Sequence, residues 1–193
     1  GVNVFPIVPP TLQLNLGFLR DTEFMVRYVP EIEIEGFSTQ MIGFGIKHGV
    51  KQYIAGLKML PFDLSVIAAW SRFNASYGLN SNADLQKLDI SSTAMNFNLI
   101  ASKKFSVITL YGGVRYMTSD TGFGLLGDFP VARADGGVDD VILTDPISLD
   151  MSHSQFGLNA GFRLKIGFIS FFADATLANY STVSGGMSLG FHN

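Results

Sequence analysis

The chain has no cysteine, little charge and no long apolar run. The first absence excludes disulfides, thiol catalysis and cysteine-based metal sites. The second is unusual for a water-soluble domain: 15% of the 193 residues are charged and 47% are apolar, where an average soluble domain carries roughly 25% charged residues. Part of the surface is therefore expected to lie out of water. A net charge of −3 supplies no basic footprint for nucleic acid. The third absence excludes transmembrane helices, which need about 20 mainly apolar residues in a row. The longest uninterrupted stretches are pieces such as Val66-Ile67-Ala68-Ala69-Trp70. Lipid solvates no backbone group, so only helices and closed barrels span it, and an apolar chain without membrane helices points to the barrel. The chain also opens without the charged and apolar segments of an export signal, as expected where any such signal has been removed or omitted.

What is present is period-two alternation, the mark of a strand with two unlike faces. Leu12, Leu14, Leu16 and Phe18 oppose Gln13, Asn15 and Gly17. Phe24, Val26, Tyr28, Ile32 and Ile34 oppose Arg27, Glu31, Glu33 and Glu35, and Ile42, Phe44 and Ile46 oppose Gly43 and Gly45. From Phe62 a longer strand sets Phe62, Leu64, Val66, Ala68 and Trp70 on one face, about the nine residues a tilted strand needs to cross hydrocarbon. Beyond it the apolar phase flips to Phe73, Tyr77 and Leu79, which implies a bulge or a strand leaving the membrane. Strands over about Leu88 to Lys103 and Phe105 to Thr118 follow, with a tight turn at Lys103-Lys104. The clearest alternation sets Phe156, Leu158, Ala160, Phe162, Leu164 and Ile166 against Gly157, Asn159, Gly161, Arg163 and Lys165. The chain returns over Phe168 to Tyr180, with Asp174 on the polar face, and a last strand runs from Val183 to about Phe191.

A soluble barrel with an apolar interior alternates equally well. Its outer face would be rich in Lys and Glu, whereas the polar face here is mainly Gly, Ser, Asn, Gln and Thr, which suits a hydrated or side-chain-filled interior. Connection lengths agree with a membrane barrel: the turns at Gly167 and Lys103-Lys104 fall on the periplasmic side, and the long connection of about Ser119 to His153 falls outside. The link from His48 to Pro61 carries Val50, Tyr53, Ile54 and Leu57 at helical spacing, which predicts a short amphipathic helix. The expected fold is all-β: an antiparallel transmembrane β-barrel with one short periplasmic interfacial helix, residues 1–193 forming a single outer-membrane domain. About nine strands are counted, whereas closed bacterial barrels have an even number, so upstream strands are expected and a complete barrel of about 10–14.

The segments Pro30-Glu31-Ile32-Glu33-Ile34, Gly45-Ile46-Lys47-His48-Gly49-Val50-Lys51-Gln52-Tyr53-Ile54 and Leu57-Lys58-Met59-Leu60-Pro61-Phe62-Asp63-Leu64-Ser65 resemble an uncharacterised β-barrel family of Bacteroidota outer membranes. The resemblance runs from about Phe5 to the C-terminus. It implies a bacterial outer-membrane location and further sequence upstream. The family's layout, with a short periplasmic helix and a Pro-containing N-terminal segment, is in turn distantly similar to long-chain fatty-acid transporters. No catalytic residue is carried over.

Motifs with chemical meaning are sparse. Gly122-Phe123-Gly124-Leu125-Leu126-Gly127 matches G-x-G-x-x-G but lacks the βαβ context of a dinucleotide site. Asp135-Gly136-Gly137-Val138-Asp139-Asp140 lacks the EF-hand spacing and reads as a solvated turn. His48, His153 and His192 lack the i, i+4 spacing of a helical zinc pair, and no G-x-S-x-G elbow occurs. Neither cofactor, metal nor enzymatic activity is expected. Arg27, Glu31, Glu33, Arg115, Asn159, Arg163, Lys165 and Asp174 are expected to face the lumen, as a charge network that fills it or as a lining that selects solutes. Phe123, Leu125, Leu126 and Phe129, in the long external connection, are candidates for a hydrophobic lid or ligand-entry site, or equally for packing into the barrel mouth. Two functions fit this reading. One is passive transport of small or hydrophobic solutes. The other is a non-transporting subunit of an outer-membrane complex, which adds other outer-membrane proteins to outer-membrane lipid as partners.

Overall fold

Tight turns set the register of the sheet. Glu35 (φ +50°) and Gly36 (φ +79°) both take left-handed backbone between paired Ile34 and Phe37, the hairpin geometry whose twist matches that of the flanking strands. Gly167 (φ +62°) does the same after Ile166. The turn sought at Lys103-Lys104 lies two residues further on, at Ser106 (φ +53°) and Val107, with both lysines still paired in the strand.

The computed structural model describes residues 11–19, 21–54, 56, 59–79, 86–132, 138–179 and 181–190. They form β1 (Leu12–Phe18), β2 (Thr22–Ile34), β3 (Phe37–Gly49), β4 (Asp63–Gly78), β5 (Gln86–Phe105), β6 (Ile108–Ala132), β7 (Val138–Thr144), β8 (Ile147–Ile166), β9 (Ile169–Leu177) and β10 (Thr182–Leu189). Among the described residues all pairings are antiparallel, in the order β1-β2-β3-β4-β5-β6-β8-β9-β10, with β7 off this path and paired with β6. β1 is bonded to β2 and β10 to β9, and β1 does not pair with β10 among the described residues.

The sheet is a single curled layer, a half-barrel, and burial shows which way it curls. Asn98 and Asn159 are 5% and 6% exposed, while their strand neighbours Phe97 and Leu158 are 49% and 58% exposed. With no second layer on either face among the described residues, side chains crowd together only on the concave side. The polar set is therefore concave and the apolar set convex. The convex apolar stretch is nine residues long on β6 (Ile108, Leu110, Val114, Tyr116) and eleven on β8 (Phe156 to Ile166), matching the 9–11 residues of a membrane-spanning strand.

Three features differ from the sequence reading. The segment read as a long external connection is mostly strand, because β6 runs for 25 residues to Ala132 and β8 begins at Ile147. The amphipathic helix reduces to one 3-10 turn, Lys51–Tyr53, and Gly56 at φ +90° is outside helical backbone. Among the described residues no helix is long and apolar enough to cross a membrane. In β2, Pro30 and Glu31 together oppose only Gln40 between the pairs Val29–Met41 and Ile32–Thr39, a bulge that inverts the facing of every later residue. Readings that involve residues 1–10, 57–58, 80–85, 133–137, 180 and 191–193, among them Leu57, Phe191 and His192, lie outside the described residues.

Candidate ligand-binding face

The concave face is built from rows of side chains that run across the strands, fixed by the register. One row, Arg27, Gly43, Ser71, Ala94, Ser119 and His153, divides it. On the side toward the Gly167 turn the face carries charged and polar side chains, with a few apolar ones such as Ile67 and Ile100 among them. On the other side it is apolar. Val29, Met41, Phe73 and Met151 make the first apolar row with Ser92 and Thr121, whose hydroxyls bond to each other at 2.9 Å. Ile32, Thr39, Ala75, Ile90, Phe123 and Leu149 form the next, and Ile34, Phe37, Tyr77, Leu88, Leu125 and Ile147 the last.

The convex face inverts at the same level. Phe44, Trp70 and Met95 are followed by Arg72, Thr93, Asp120 and Ser152, then by Asn74, Ser91 and Asp150. These polar groups are paired across strands: Ser152 donates to Asp120 at 2.6 Å, and Ser154 to Thr118 at 3.0 Å. The phase flip after Trp70 is therefore no bulge, since β4 pairs without a register shift from Asp63 to Gly78. The strand continues past an apolar belt, and the environments of its two faces exchange.

Arg27, Arg115, Asn159, Arg163, Lys165 and Asp174 lie on the concave face. Glu33 does not. The bulge at Pro30 turns it to the convex side opposite Ser38, and Glu31 accepts a 2.9 Å hydrogen bond from the same Ser38 hydroxyl. Nor do the concave charges form one network. Arg27 donates to Gln13 at 2.8 Å, Ser184 donates to Asp174 at 3.0 Å, and Lys47 sits 3.5 Å from Glu23. Arg115 makes no ion pair among the described residues, and its Nε is buried without a partner. The amide oxygens of Asn96, Asn98, Gln155 and Asn159 are buried unpartnered around it. A recess beside the end of β9 is lined by Arg115, Met117, Gln155, Thr176 and Thr182. Arg27, Lys47, Lys104, Arg115, Arg163 and Lys165 outnumber Glu23, Asp63 and Asp174 on this face, so it favours anions although the chain as a whole is acidic.

The residues read as a lid are not a loop. Phe123 and Leu125 are strand residues of the concave apolar rows, Leu126 faces the convex side, and Phe129 pairs with Leu143 where β6 meets β7. Sequence reading missed the apolar rows as a surface. Their signal is present in the parity of Arg72, Asn74 and Ser76, which continue the facing of Ala68 and Trp70 with polar side chains.

A family model matches residues 1–191. The chain belongs to a family of unknown function (DUF6588). No curated protein matches this DUF6588 chain. Among solved structures, the translocator domain of autotransporter NalP from Neisseria meningitidis is similar at a TM-score of 0.48 and 16% identity, over 95% of this chain and 68% of that one. The Bacteroidota origin and the likeness to long-chain fatty-acid transporters stay inferences from sequence.

Proposed function

We propose that this chain forms the wall of a bacterial outer-membrane barrel, not an enzyme, and that it passes small or hydrophobic solutes passively. The observation that carries the reading is the simultaneous exchange of polarity on both faces. A convex belt 9–11 residues tall suits the hydrocarbon core of a membrane. Past that belt the wall is polar outside and apolar inside, which suits a segment standing in water around an apolar entrance. Cells expressing the full-length protein in a heterologous outer membrane should take up a small apolar dye faster than vector controls. Equal rates, with the protein folded in that membrane, would contradict transport.

One observation favours a second reading, a non-transporting subunit of an outer-membrane assembly. β1 and β10 each leave one edge unpaired among the described residues, and an open edge offers backbone donors and acceptors to another chain. Extraction in mild detergent decides between the two: stoichiometric co-purification of another membrane protein supports the subunit, and a lone barrel that carries dye supports the transporter.

A further inference from the structure

We propose that the concave face binds an amphipathic anion, its head at Arg115 and its apolar body laid along β6 and β8 toward Phe123. The inference rests on the barrel reading only in that it needs the concave face turned away from lipid.

The head site is defined by groups whose hydrogen-bonding capacity is unmet. Arg115 has no carboxylate partner among the described residues, and an unpaired guanidinium within a protein wall calls for an anion with acceptor oxygens. Gln155, Thr176 and Thr182 share its recess. Asn159 pairs with Thr176 across the strands, is 6% exposed, and holds its amide oxygen without a partner. Buried polar groups left unmet in this way cost free energy until a ligand or water satisfies them. Among the described residues no other part of the concave face gathers so many.

The body site follows from the same strands. Met117 is the next concave residue beyond Arg115; Ser119 and His153 make one polar step, after which Met151, Leu149 and Phe123 line an apolar path. Arg115 and Phe123 are eight residues apart on one strand, about 26 Å at about 3.3 Å per residue. A ligand spanning both zones is therefore elongated, with one charged end. A small inorganic anion would leave the apolar rows unused, and a neutral hydrocarbon would leave Arg115 unanswered.

Native mass spectrometry of the full-length protein in nonionic detergent tests this with four probes: decanesulfonate, decyltrimethylammonium, decanol and ethanesulfonate. Decanesulfonate should bind at one per chain, about tenfold or more tighter than each of the other three. Arg115→Gln should weaken decanesulfonate about tenfold and leave decanol unchanged. Met117→Ser, within reach of a ten-carbon chain whose head sits at Arg115, should weaken decanesulfonate and decanol together. Arg163→Gln, a charge change on the same face outside the recess, should alter neither by more than about twofold. Heat-modifiable gel migration reports whether each variant is folded. Equal binding of the cationic and anionic probes, or an Arg115→Gln protein that binds decanesulfonate like the parent, would overturn the proposal. Binding without dye uptake by cells would overturn transport and leave this site standing. Dye uptake without selective binding would do the reverse.

Discussion

The ring of Tyr111 closes over Gly161: a Cβ added at Gly161 would lie 2.7 Å from the ring's Cζ. The two residues are directly paired across β6 and β8 on the concave face. The glycine supplies the room that lets an aromatic side chain fold against the wall rather than project into the lumen. Phe172 does the same over Gly186, where an added Cβ would meet its ring at 2.6 Å.

These two glycines should respond differently to substitution. At Gly161 the added carbon also meets the Ala173 carbonyl oxygen at 2.6 Å, and backbone cannot swing away. Gly161→Ala should cost about 1–3 kcal/mol, and adding Tyr111→Ala should not restore it. At Gly186 the obstacle is the far end of one side chain, so Gly186→Ala should cost less than about 1 kcal/mol. Urea unfolding of the lipid-reconstituted protein measures both. Equal costs, or rescue by Tyr111→Ala, would contradict this packing.

The β2–β3 turn leaves room for improvement. Glu35 holds φ +50° with a side chain that gains nothing from left-handed backbone, whereas Asn tolerates it and Asn-Gly is a favoured pair for this hairpin. Glu35→Asn should stabilise by about 0.5–1 kcal/mol, read as a higher urea midpoint at unchanged slope. A lower midpoint would show that the turn has another geometry.

Phe162 and Ser152 share the convex face of β8 at different heights. Arginine within a membrane belt costs roughly 2–4 kcal/mol, and little outside it. Phe162→Arg should therefore depress the folded yield in lipid vesicles sharply. Ser152→Arg, next to Asp120, should fold like the parent. Similar yields would place the belt elsewhere.

The belt itself was legible because several strands obey one rule without interruption. Leu12 to Phe18 and Phe156 to Ile166 alternate without exception, and the structure pairs them as strands with the apolar set convex. The zone past the belt was not legible, for two physical reasons. Where the environments of the two faces exchange, stretches such as Thr118-Ser119-Asp120-Thr121-Gly122 lose their contrast and resemble a loop, although β6 continues through them. At Pro30 one extra residue inverts the facing of Glu33 while Ile32 and Ile34 keep the parity of Phe24 and Val26. No local pattern announces such a bulge. The recess at Arg115 depends on which strands lie side by side, so single residues such as Arg115 and Asn159 could be nominated from sequence but not assembled into a site.

The chain holds a single tryptophan, and its position makes it a reporter of the central claim, that the convex belt meets lipid. Trp70 lies on the convex face, stacked on Phe44 with centroids 6.2 Å apart, one step before polar Arg72. Aromatic side chains of membrane barrels gather at such belt edges. Fluorescence of the reconstituted protein in vesicles of brominated lipid measures where Trp70 sits. Quenching should be strong, strongest for bromines near the headgroup, and aqueous iodide should have little effect. Emission that brominated lipids leave unchanged and iodide quenches freely would contradict the account.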